Sequence, residues 1–128
     1  MKRVLPPPEA GVAVGIGARR GVTCQEVSDA IRAGLHDAGI DLADVRIFAS
    51  SRLKENEQGI LNAADSLKRE IVFLEDETIN MHTPPSHSEA SRFGIVGVAE
   101  PSALALSEKK DLILKKQKYG NVTIAIAR

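Results

Sequence analysis

The chain has 128 residues, with 17 Lys and Arg balancing 17 Asp and Glu, 43% hydrophobic and 3% aromatic content, and one cysteine. Near-neutral charge and so few rings argue against a nucleic-acid platform or a membrane-surface field, so any anion binding must come from local clustering. One cysteine forms no internal disulfide, and the absence of a signal-peptide core or long apolar run makes a cytoplasmic protein the expectation. Residues 1–10, with Pro6-Pro7-Pro8 and no periodicity, are read as a flexible arm, and 11–128 as a single domain.

In chain order, Val12 to Ile16 reads as a buried strand. It is followed by the turn Gly15-Ile16-Gly17-Ala18-Arg19-Arg20-Gly21. Thr23 and Glu26 form a capping box, which starts a helix running to Ala38 with Val27, Ile31, Leu35 and Ala38 on one stripe. Gly39 is its stop. Val45 to Ala49 is a second strand, Gln58 to Leu67 a second helix and Ile71 to Leu74 a third strand. After Pro84-Pro85, Ser86 and Glu89 form another capping box for a short helix to Phe93, ended by Gly94. Ala99 to Ser107 is helical, with Pro101 tolerated in its first turn. Leu112 to Lys116 and Val122 to Ala127 flank Tyr119-Gly120-Asn121 as a closing hairpin. Strands alternating with helices imply a three-layer α/β/α fold with a mainly parallel sheet and a C-terminal β-hairpin.

Four clusters carry chemistry. In the first, a glycine turn at a helix N-terminus directs backbone N–H groups to one point, and Arg19 and Arg20 add fixed positive charge. A dinucleotide site is a second reading of these glycines, but the third glycine is one residue out of place. The end of the second strand also holds Ser50-Ser51-Arg52 where a ribose-binding acid belongs. Close strand–helix packing at Gly15 and Gly17 is a third reading. The second cluster, Ser51 to Gly59, falls at the same carboxyl edge of a parallel sheet. Its Arg52 and Lys54 are expected to pool with Arg19 and Arg20. Its Glu57 is either a first-turn carboxylate favoured by the helix dipole or a catalytic acid/base. Glu100 carries the same two readings in the third cluster, Val98 to Ala103. The fourth, Lys115 to Thr123, is either a solvated edge that discourages aggregation or a ligand contact through Lys118 and Tyr119. Cys24 has no histidine nearby in sequence to activate it. His82 and His87 have no regular metal spacing, so no metal and no cofactor are expected. His36, mid-helix, reads as a surface or hydrogen-bond-satisfied residue.

Taken in register, these clusters resemble one family, the CobE and CbiG C-terminal proteins of cobalamin biosynthesis. The matching residues are Gly15 to Gly21, Leu53-Lys54-Glu55-Asn56-Glu57-Gln58-Gly59-Ile60-Leu61, Gly97-Val98-Ala99-Glu100-Pro101-Ser102-Ala103-Leu104-Ala105, and Lys116 to Arg128. The resemblance runs from about Val12 to Arg128 and is weakest from Glu75 to His87. It implies a corrin or precorrin ligand whose rim carries acetate and propionate carboxylates, with other cobalamin-pathway enzymes as further partners. Gly15, Gly17, Arg19, Arg20, Lys54, Lys118 and Tyr119 would bind that ligand. Full-length CbiG-type proteins open a cobalt-precorrin lactone and release acetaldehyde. The alternative role it implies is therefore a lactone hydrolase, with Glu57 or Glu100 activating water and the Gly17–Gly21 turn holding the oxyanion.

Overall fold

The computed structural model describes residues 11–82 and 98–128. The expected arm, the Ser86–Phe93 helix with its Gly94 stop, and His87 lie outside the described residues. Five strands form one sheet in the order β3-β2-β1-β5-β4, from β1 (Val12–Ala18), β2 (Val45–Ser51), β3 (Ile71–Leu74), β4 (Leu112–Tyr119) and β5 (Val122–Ala127). The β1–β2 and β2–β3 ladders are parallel, while β5 runs antiparallel to both β1 and β4. Four strands therefore share one direction. The β4–β5 turn lies at the sheet edge where β1 ends, because Ala18 pairs with Val122.

Helices α1 (Cys24–Ala38) and α2 (Gln58–Ser66) cover one face, and α3 (Asp76–Met81) and α4 (Ala99–Leu106) the other. Alternation along the strands assigns the faces. Val12, Val14 and Ile16 of β1 and Val122, Ile124 and Ile126 of β5 pack with Val27, Ile31 and Leu35 of α1 and Ile60 of α2. On the opposite face Ala125 and Ala127 meet Ala99 and Ala103 of α4. That contact is made of small residues, so α4 lies unusually close to the sheet. Helix α1 is ended as its sequence implies, with Gly39 at φ 70° and its N–H donating to the His36 and Leu35 carbonyls. Six-residue α3 has too few positions to show a stripe, which is why no periodicity reveals it.

Candidate functional site

The loops leaving β1 and β2 do meet, but not through their cations. Gly21 sits at φ +86°, a left-handed conformation suited to glycine, and its N–H donates to Glu57 Oε2 at 2.8 Å. The capping box is complete: Glu26 N–H donates to Thr23 Oγ1 at 3.0 Å, and Thr23 N–H to Glu26 Oε1 at 2.9 Å. The second oxygen of Glu26 accepts from Asn121 Nδ2 at 3.2 Å, tying the hairpin to α1. The Thr23 N–H first, then the Asn121 amide, hold the Glu26 carboxyl below its usual range. The anion gathered by the glycine turn is thus the protein's own Glu57, and the α1 N-terminus is capped from within.

The expected pooling of Arg19, Arg20, Arg52 and Lys54 is corrected accordingly. Arg52 is ion-paired with Glu75 and, at 3.5 Å, with Glu55. Arg20 is exposed and Lys54 half-buried, and neither has an ion pair among the described residues. Arg19 turns elsewhere. Its N–H continues the ladder to the Asn121 carbonyl at 3.0 Å, and the residue lines a hollow of about 290 Å³ on the α4 face.

Gly17 and Ala18 of β1, Thr123 of β5, and Val98 and Ala99 at the start of α4 also line this hollow. Lys116 and Lys118 of β4 and Asn121 of the turn complete it. The register explains the grouping, since Gly17 pairs with Thr123 and Thr123 with Lys118 across three neighbouring strands. Three cationic residues therefore line the hollow, of which Arg19 and Lys118 were expected in the site from the sequence and Lys116 was not. The signals for Lys116 were the lysine run and its place at the head of the Lys116 to Arg128 match. A side chain at position 17 would project into the hollow, its Cβ 3.8 Å from Thr123 Cβ and 3.9 Å from Ala99 N.

The dipole of α4 adds to this field. At its C-terminus Lys110 Nζ donates to the Leu104, Ala105 and Ser107 carbonyls at 3.0–3.2 Å, and Arg46 Nη2 donates to the Leu106 carbonyl. At its N-terminus Val98 supplies no side-chain cap and Pro101 has no N–H. The negative end is compensated by side chains from outside the helix, and the positive end has Glu100 in its first turn, with Oε2 taken by the Lys116 N–H.

The remaining expected residues separate by physics. Gly15 has a packing role, because a Cβ there would stand 1.9 Å from the Ala99 carbonyl oxygen. Tyr119 is corrected to the opposite face, since successive strand residues alternate and Lys118 takes the hollow side. Its hydroxyl donates to Asp37 Oδ2 on α1 at 2.6 Å, and burial, then the Asp37 carboxylate, push its ionisation up to about 12. A raised folded value means the bond stabilises fully below the free tyrosine value near 10 and fades as pH rises toward 12. Tyr119→Phe should therefore lower the urea midpoint at pH 8, and the gap from wild type should close above pH 11. Neither candidate acid stands free: Glu57 holds Gly21, and Glu100 Oε2 accepts from Lys116 N–H at 3.0 Å. Cys24 Sγ lies 3.9 Å from Ser28 Oγ, His36 is exposed, and His82 Nδ1 donates to the Thr78 carbonyl at 2.9 Å. Among the described residues no group of three or more His, Cys, Asp and Glu could hold a metal, and no helix is long and apolar enough to cross a membrane.

Residues 12–127 match the family model described as cobalamin synthesis G C-terminus. The chain belongs to the CbiG C-terminal family. It is 30% identical to Protein CobE of Sinorhizobium sp, over 92% of this chain and 80% of that protein. It is 31% identical to the cobalt-precorrin-5A hydrolase of Priestia megaterium, over 91% of this chain but only 32% of that protein. The chain thus spans about a third of the hydrolase's length. A solved structure of CobE from the cobalamin biosynthetic pathway superimposes with a TM-score of 0.81 at 30% identity, covering 96% of this chain and 92% of CobE. This member of the family is a cobalamin biosynthesis protein of the CobE/CbiG type, and the hollow lies within the matched region.

Proposed function

We propose that the domain binds a carboxylate-rich corrin precursor, seating an acid arm of the macrocycle in the hollow, and acts as a carrier or partner for other pathway enzymes. The observation that carries this is that Arg19, Lys116 and Lys118 line one hollow with Val98 and Ala99 at the start of α4. A carboxylate there meets three cationic residues and the helix dipole, beside a Glu100 carboxylate already held by the Lys116 N–H. The relative named cobalt-precorrin-5A hydrolase, with the cobalamin synthesis family model, supplies the ligand class.

Binding is favoured over lactone hydrolysis because Glu57 and Glu100 each have an oxygen committed to a backbone N–H. Isothermal titration with two corrinoids tests the reading. Cobyrinic acid has free carboxylate arms, whereas the arms of cobinamide end in amides. Cobyrinic acid is expected to bind at least tenfold more tightly, with the difference shrinking as salt rises. Equal affinities would defeat the carboxylate site. Acetaldehyde released from a lactone-bearing precorrin by this chain, and lost on Glu57→Gln, would restore the hydrolase.

A further inference from the structure

Strand β4 is the outer strand of the sheet, and its ladder to β5 is irregular between Leu112 and Leu114 and again between Leu114 and Gln117. Such irregularities release backbone groups from regular pairing and re-aim the side chains around them. Lys116 lies inside the second irregular stretch, and its N–H is met by Glu100 Oε2 at 3.0 Å. Glu100 stands in the first turn of α4, sixteen positions earlier. The bond joins two sides of the hollow, because Ala99 and Lys116 both line it and each is covalently adjacent to, or part of, the bonded pair. A carboxylate suits this place chemically. It only accepts, so it cannot turn a donor toward the N–H, and an ionised acceptor shortens and strengthens the bond.

We infer that Glu100 is a positioning residue of the anion site: it holds the irregular stretch of β4 at a set distance from α4, so that Lys116 and Lys118 face the start of that helix. This rests on the hollow being the carboxylate site. It gives Glu100 a role different from a catalytic base and different from ordinary helix capping, since its oxygen leaves its own helix for a neighbouring strand. A negative charge beside an anion site carries an electrostatic cost, which the fixed geometry offsets.

The test measures cobyrinic acid affinity by isothermal titration for wild type, Lys118→Ala, Glu100→Gln and Glu100→Ala. Both Glu100 variants remove the charge, but only glutamine keeps an acceptor, so their ratio isolates positioning from electrostatics. Glu100→Gln is expected to bind as tightly as wild type or more so, and Glu100→Ala about tenfold more weakly than Glu100→Gln. The Lys116 amide should exchange with solvent faster in Glu100→Ala than in Glu100→Gln. Should the alanine variant fail to fold, Glu100→Asp keeps the charge but shortens the reach by one methylene, and is expected to bind more weakly than wild type. Equal affinity of the glutamine and alanine variants, with Lys118→Ala weakened, overturns the inference and leaves the site standing. An unchanged Lys118→Ala overturns the site and the inference with it.

Discussion

Alanine at position 15 is expected to cost about 3 kcal/mol or more of stability, at the upper end of what overpacking a core imposes. Its Cβ would lie 1.9 Å from the Ala99 carbonyl oxygen and 2.8 Å from both the Ala99 carbonyl carbon and Ala103 N. All three atoms are backbone, so no rotamer change relieves the overlap, and α4 must lift away from β1. That displacement would move Val98 and Ala99 out of the hollow, so corrinoid affinity should fall together with stability. Urea unfolding reads the first effect as a lower midpoint at unchanged slope. Gly17→Ala is the matched comparison, because its Cβ would make only ordinary contacts of 3.8–3.9 Å. It should fold with nearly wild-type stability while narrowing the hollow. A Gly15→Ala protein with a wild-type midpoint would show that α4 does not pack as described.

The double variant Arg19→Ala, Lys118→Ala should weaken cobyrinic acid binding by about 30-fold or more, while leaving any cobinamide binding within about twofold. Each charge-assisted hydrogen bond contributes roughly 1.5–3 kcal/mol when desolvated, less at a wet rim, and 1.4 kcal/mol is tenfold in affinity. Both side chains are on exposed residues, so folding should be retained. The decisive contrast is Arg20→Ala with Lys54→Ala. These two cations do not line the hollow, and their removal is expected to change affinity by no more than about twofold. A larger loss in that pair than in Arg19 and Lys118 would return the ligand to the edge above the glycine turn.

Much of the fold was legible because its signals are local. Thr23 and Glu26 lie three residues apart on one turn, so their reciprocal bonds need nothing from the rest of the chain. The same holds for the Gly39 stop, and for the strands whose apolar runs mark them for burial. The resemblance to the CobE and CbiG C-terminal proteins was carried by residues spread along nearly the whole chain, and the family match spans 12–127. By contrast α3, at six residues, is shorter than the window over which a helical period can be read.

Among the described residues the sequence by itself determined the element types other than α3, together with the family and the kinds of group available: glycine turn, arginine pair, lysine run and two candidate acids. Only the tertiary structure decided which of them meet. Strand β5 enters between β1 and β4, and this brings Lys116 and Lys118 to Arg19 on the α4 face while Tyr119, one residue on, goes to the other. It also decided where the candidate acids go, since Glu57, distant in sequence, takes the Gly21 N–H and Glu100 takes the Lys116 N–H. The reason is that pairing order and hydrogen-bond competition are set between segments far apart in the chain, where local spacing carries no information.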